Sequence, residues 1–330
     1  MANPADIAAS LDGVRFAYAG AHGAAATPAL VGLSFAVRRG EMFGLVGPDG
    51  AGKTTAIRLL LGLLNADRGQ VQTLGHDPRV ESSYVKSHVG YLSQRFTLYG
   101  DLTVSENIEF FGEIHRVRDM REQRQRLLDF TLLGPYQRRR ADQLSGGMQK
   151  KLALACTLIH RPQLILLDEP TTGVDPISRR EFWTLLHTLL HDGVTVVLTT
   201  PYLDEAERCT RIALVRNGHT LVEDDPVRLR REYGRPTIEV VCEPVRRGRD
   251  LLAASPRVAE VQLFGDRLHA VPAAEDDGLT DLVDGLAGQG VTIQHCRPVM
   301  PSLEDVFITL VKRDQAALDA AGRAANEVAP

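Results

Sequence analysis

Residues Met42–Thr54 read MFGLVGPDGAGKT: a short, unbroken apolar run, then a glycine-rich stretch that ends in lysine and threonine. The run Met42–Val46 has the composition of a parallel strand buried on both faces. Gly47–Thr54 fits G-x-x-x-x-G-K-[ST], and the helically spaced AIRLLLGLL follows almost directly. Strand, glycine loop and helix together form a phosphate cradle, because glycines let backbone N–H groups turn onto phosphate oxygens. The helix N-terminus adds partial positive charge. Gly47, Pro48, Asp49, Gly50, Ala51 and Gly52 line this cradle, with Thr55 behind it. Lys53 supplies a point charge for the β- and γ-phosphates of ATP, and the Thr54 hydroxyl is a ligand for Mg²⁺.

A second apolar run, Leu164–Leu167, ends in Asp168 and Glu169. Behind a phosphate loop such acids have distinct uses. Asp168 can hold Mg²⁺ directly or through water. Glu169 can polarise the attacking water as a general base. Thr195–Thr199 (TVVLT) is a third buried strand.

The bulk composition limits the alternatives. A chain of 330 residues with 44% hydrophobic and 24% charged residues suits one large packed domain and a small one. Its net charge of -4 argues against a general nucleic-acid binder. Cys156, Cys209, Cys242 and Cys296 are far apart and form no C-x-x-C pair, so buried thiols in a reducing compartment are expected. MANPADIAAS has neither a basic nor an apolar leader region, and no apolar stretch reaches about 18 residues. A membrane role would therefore need a separate membrane partner.

Short strands alternating with helices make residues 1–235 an α/β domain, with a helical insert over about 95–160. In that insert Thr103–Val117 and Met120–Leu133 read as helices, with a weak spot at Gly112. Residues 236–314 follow a βαββαβ order, the ferredoxin-like arrangement. Its elements are strand Thr237–Cys242, helix Val245–Ala254, strands Val258–Phe264 and Leu268–Val271, helix Leu279–Leu286 and strand Val291–Arg297. Ser302 and Asp305 form a capping pair for a last helix, and 315–330 reads as a flexible tail. Arg138–Arg140 reads as a solvated patch, and Lys150 and Lys151 as solvent-facing.

Leu144–Gln149 reads LSGGMQ. Ser145 can cap the next helix, while Gly146 and Gly147 bare its first N–H groups. One nucleotide needs only one cradle, so a second anion-ready helix end suits a head-to-tail partner. The motif resembles the signature of the ABC ATPase family, and the resemblance covers about residues 10–225. It implies a P-loop NTPase core with an inserted helical subdomain. It also implies a homodimer or a heterodimer with a second ABC ATPase, and an integral-membrane permease subunit as partner. Such a chain lies peripherally at the cytoplasmic face of the cell membrane.

The resemblance assigns further residues. Tyr18 matches the aromatic that stacks on adenine, a buried strand aromatic being the alternative. Gln94 matches the glutamine that reaches Mg²⁺ and faces the membrane partner. Asp175, in TTGVDP, matches the loop through which subunits communicate. The family places a γ-phosphate-contacting histidine after the third strand, where this chain has Pro201. Proline offers no side-chain hydrogen bond, so turnover is expected to be slow. His187 and His191, on the preceding helix, are poor candidates to replace it. GLVGPDGAGKTT, LYGDLTVSEN, GVDPISRREFW and PSLEDVFITLV are similar to segments of drug-efflux ATPases of ABC-2 type exporters. An export motor is therefore the leading reading. The alternatives are a soluble ABC protein acting on ribosomes or damaged DNA, and an ATP-binding regulator with little turnover.

Overall fold

Met42–Val46 forms β3 with every residue buried, in a computed structural model that describes residues 6–20, 25–94, 98–273, 285, 286 and 288–327. The sheet order is Val89–Leu92 (β5), Leu164–Asp168 (β6), Thr195–Thr200 (β7), β3, Arg211–Arg216 (β8) and His219–Asp224 (β9). β9 runs antiparallel to β8, and the other neighbours are parallel. The register sets Val46 beside Thr200 and Thr199 beside Asp168. The ends of β3, β7 and β6 are therefore adjacent, at the carboxyl edge where open α/β sheets bind ligands.

An antiparallel sheet of Thr27–Arg38 (β2), Ile7–Tyr18 (β1) and Arg68–Thr73 (β4) forms a second sheet of this unit. The sequence reading did not find it. Register shifts along β1, with Gly13 and Gly32 at positive φ, break the two-residue alternation that reveals a strand. Leu33, Phe35 and Val37 share one buried core with Phe43, Leu45 and the phosphate-loop helix Lys53–Leu60 (α1). Ser82–His88 (α2) leads into β5.

The helical insert comprises Val104–Ile114 (α3), Met120–Thr131 (α4) and Gly146–Leu158 (α5). Thr103 and Glu106 close a reciprocal capping box on α3. Gly112 lies inside α3, where a Cβ would stand 2.1 Å from Met120 Cε. Its missing side chain gives the start of α4 its place. Pro176–His191 (α6) buries Phe182, Trp183, Leu185, Leu186 and Leu189. Leu203–Ala206 (α7) follows β7.

The chain divides into two compact units, Met1–Asp225 and Pro226–Pro330. Pro226–Glu232 (α8) buries Pro226 and Leu229. It belongs by its contacts to the second unit, whereas a division at residue 235 gives it to the first. The second unit contains Thr237–Glu243 (β10), Val245–Ala253 (α9), Val258–Phe264 (β11), Arg267–Pro272 (β12) and Thr292–Val299 (β13). Their antiparallel order β11-β12-β10-β13 is the ferredoxin-like one. Val240, Cys242, Leu252, Leu268 and Ala270 form its core. The expected helix Leu279–Leu286 lies outside the described residues except for Gly285 and Leu286.

Ser302 and Asp305 cap the terminal helix Leu303–Glu327 (α10) reciprocally. This helix continues to Glu327, through most of the stretch read as a flexible tail. Alanine has the highest intrinsic helix propensity, which suits the alanine-rich run to continued helix.

Trp183 is 2% exposed and is covered by the Arg208 guanidinium, 5.6 Å from its ring centroid. Trp183→Ala is expected to lower stability by about 3–5 kcal/mol. A urea titration followed by far-UV circular dichroism checks this.

Candidate nucleotide site

The phosphate loop owes its shape to two glycines. A Cβ on Gly47 would lie 2.2 Å from the Val215 carbonyl oxygen, so only glycine passes that strand. Gly52 has φ 99° and is packed against Leu30 and the Ala29 carbonyl. It caps α1 without a side-chain hydrogen bond, leaving the first-turn N–H groups to an anion. Gly47 N–H donates to the Thr200 carbonyl at 3.2 Å, tying the loop to the end of β7.

The charged residues named from sequence gather around this loop. Lys53 is buried and donates to the carbonyls of Gly47 and Pro48 at 2.8 and 3.0 Å. Its Nζ lies 3.7 Å from Glu169 Oε1. Thr54 donates to Asp168 Oδ1 at 3.0 Å. Gln94 Nε2 donates to Glu169 Oε2 at 2.8 Å, so the glutamine meets the candidate base rather than the Thr54–Asp168 pair. Thr54 and Asp168 present hard oxygen donors side by side, a set that suits Mg²⁺. Among the described residues no cluster of three or more His, Cys, Asp or Glu side chains could hold a metal alone.

Glu169 has φ 47°, a strained value for a residue with a side chain. Its N–H donates to Thr199 Oγ1 and to the Thr199 carbonyl, at 3.0 and 3.2 Å. Thr199 Oγ1 donates in turn to Asp168 Oδ1 at 2.6 Å. This fully buried threonine thus holds both acids, and the sequence reading missed it. A hydroxyl at the end of an apolar strand beside two acids is the signal that could have found it.

Tyr18 is 37% exposed, packs edge-on against Phe16 and shares a 3.1 Å hydrogen bond with Thr55 Oγ1. Its ring is thus not the buried strand aromatic of the alternative. Ser145 caps α5 by accepting from Met148 N–H. The two signature glycines differ. A Cβ on Gly146 would meet nothing within 4 Å, whereas one on Gly147 would lie 2.1 Å from Ser178 Oγ. Gly147 therefore seats α5 against the first turn of α6. Asp175 caps that turn, and its bonds from the Ser178 and Ile177 N–H groups hold its carboxyl below the usual range. Among the described residues, no hydrogen bond or ion pair joins Ser145–Gly147 to Gly47–Thr55.

Pro201 is half-buried directly after β7. His187 and His191 are both exposed on α6. Arg138–Arg140 is exposed, with Arg140 paired to Asp142 at 2.8 Å. The two lysines read as solvent-facing are not so placed. Lys151 is 8% exposed and ion-paired with Glu181 at 2.5 Å. Lys150 is half-buried and donates to the Gln94 carbonyl at 3.2 Å. Burial pulls its ammonium below the usual range, against the opposing field of Glu169. Lys150 thus meets the chain at Gln94 and Lys151 meets α6, placements that composition alone does not reveal.

A family model described as ABC transporter matches residues 30–172. A second, described as the C-terminal domain of DrrA1-3-like ATP-binding proteins, matches residues 225–311. The chain belongs to the ABC transporter ATP-binding proteins, as LSGGMQ suggested. It is 35% identical to daunorubicin resistance ATP-binding protein DrrA3 of Streptomyces coeruleorubidus, over 96% of this chain and all of that protein. It is 38% identical to the probable multidrug ABC transporter ATP-binding protein YbhF of Escherichia coli strain K12, over 86% of this chain. The match spans about half, 49%, of YbhF. Among solved structures, the ATP-binding cassette MJ0796, a dimer in a post-hydrolysis state bound to ADP and Pi, matches with TM-score 0.59 and 26% identity. That match covers 66% of this chain and 98% of the other.

Gly47→Ala forces a Cβ against backbone that cannot step aside. Overpacking of about 1–3 kcal/mol is expected to distort the loop and weaken ATP binding roughly tenfold or more. Fluorescence titration with a labelled ATP analogue measures the change.

Proposed function

We propose that this chain binds and hydrolyses ATP as the motor subunit of an ABC-2 type membrane exporter. The observation that carries the reading is the convergence of Lys53, Thr54, Gln94, Asp168 and Glu169 on one glycine loop. Lys53 and the uncapped N–H groups of α1 bind the phosphates. Thr54 and Asp168 would hold Mg²⁺, with Gln94 contributing the amide oxygen that its bond to Glu169 leaves free, and the ion would supply charge neutralisation on the β- and γ-oxygens. Glu169 accepts a proton from the attacking water. Tyr18 stacks on the adenine.

The open face at Gly146 supports head-to-tail pairing, in which Ser145, Gly146 and Gly147 of one chain close on the nucleotide of another. That partner is an identical chain or a second ABC ATPase with the histidine that this one lacks, and Asp175 lies at the contact. Among the described residues no helix is long and apolar enough to cross a membrane, so export requires a separate permease. The chain then works peripherally, at the cytoplasmic face of the cell membrane. Its relatives include multidrug, daunorubicin resistance and Nod factor export proteins, which supports an exported cargo such as a drug.

Glu169→Gln is expected to keep ATP bound but nearly unhydrolysed, giving a dimer on gel filtration with ATP and Mg²⁺. Lys53→Ala should instead lose binding, since a charged hydrogen bond is worth roughly 1.5–3 kcal/mol. Wild-type turnover in either variant would end the assignment.

Pro201 also favours a second reading, an ATP-binding regulator with little turnover. Pro201→His is expected to raise the rate at saturating ATP by about tenfold or more, for a restored donor worth about 2 kcal/mol. A wild-type rate already near 1–10 per second, unimproved by histidine, would dismiss the slow-site reading.

A further inference from the structure

Behind the site lies a fully buried carboxylate to which the proposed mechanism gives no part. Glu205, on α7, is 1% exposed. Its Oε2 accepts a 2.7 Å hydrogen bond from Thr200 Oγ1, and its Oε1 accepts one from Thr171 Oγ1. Arg179, on α6, brings its Nε within 3.9 Å of Oε1, and its guanidinium lies over the Tyr202 ring at 5.5 Å. Each partner belongs to a different part of the site. Thr200 ends β7, precedes Pro201 and takes the Gly47 N–H on its carbonyl. Thr171 lies two residues beyond Glu169 and is 1% exposed. Arg179 lies one helical turn beyond Asp175, and its N–H donates to the Asp175 carbonyl at 2.9 Å.

We propose that Glu205 is a positioning residue for hydrolysis, fixing the loop after Glu169, the end of β7 and the Asp175 helix relative to one another. This rests on the ATPase reading above. A buried carboxylate is retained at a cost unless its oxygens are satisfied, and here the satisfying groups are those that must hold register. Glu169 is strained, and in the proposed function the placement of its loop sets how it meets the attacking water, so small displacements there change the rate. Because residue 201 offers no side-chain hydrogen bond, the turn after β7 is held by its neighbours, and Glu205 is one that also reaches the base loop through Thr171.

The test uses the purified full-length chain and three variants: Glu205→Gln, which keeps the shape without the charge, Thr171→Val, which removes one arm, and both together. Rates are divided by the number of labelled-ATP sites, so that unfolded protein is not counted. Each single variant is expected to lose about 10–100-fold in kcat, the scale of a misplacement near 1 Å, with ATP affinity within about threefold of wild type. The double variant should lose little more than the worse single one, because both changes break the same tether. A merely structural role would lower the number of sites while sparing the rate per site. Wild-type rate per site in Glu205→Gln, or fully multiplicative losses in the double variant, would overturn the inference alone. If the wild-type chain binds ATP and shows no turnover that Glu169→Gln abolishes, the ATPase reading fails and takes this inference with it.

Discussion

The register of three neighbouring parallel strands sets the two acids of the site beside its glycine loop. Val46 faces Thr200 and Thr199 faces Asp168, so the end of β7 stands between the phosphate loop and the two acids. Buried carboxylates there need hydrogen-bond donors for their oxygens. Threonine meets that need at a strand end: its β-branched body suits the sheet, and its hydroxyl reaches the acid. Thr199 serves Asp168 and the Glu169 backbone, while Thr200 serves Glu205 and the Gly47 N–H. A one-residue slip of β7 that brought Leu198 into the place of Thr199 would set an apolar side chain against the acids.

The same arrangement explains how a strained Glu169 is kept. Its left-handed backbone costs about 1–3 kcal/mol, tolerable only where the surroundings over-determine it. Here the N–H is fixed by Thr199, one carboxylate oxygen lies near Lys53 and the other accepts from Gln94 and, at 3.4 Å, from Thr172. Lys53 is therefore shared between the candidate base and the loop that presents it to phosphate. Under the proposed function, phosphate in the loop would compete with Glu169 for that ammonium, which would link occupancy of the loop to the electrostatics of Glu169.

Legibility in the sequence tracked how local the physics was. Met42–Val46 and Thr195–Thr199 were readable because strands buried on both faces carry short runs of apolar and β-branched residues, whatever their neighbours. The phosphate loop and LSGGMQ were readable because their glycines answer to backbone geometry within a few residues. The antiparallel sheet of β1, β2 and β4 was hidden, since bulges erase its period. Lys151 was misread because its partner, Glu181, comes from another helix and no local rule brings the two together. Gly146 and Gly147 are equivalent in a motif, yet one faces open space and the other a serine of α6. Thr199 and Glu205 share this dependence on packing: their importance lies in which loops they join.

Pro201 shows chemistry and architecture coming apart. The strand ends at Thr200, so the register needs no N–H from the next residue, and proline is tolerated at such an end. The turn is held by the N–H of Tyr202 on Thr200 Oγ1, by that hydroxyl on Glu205 and by the Thr200 carbonyl on Gly47. None of these bonds involves residue 201. A proline there carries no side-chain hydrogen-bonding group and leaves the loop's own hydrogen bonds intact. The hydrogen bonds that shape the turn therefore place no demand on the side chain at residue 201.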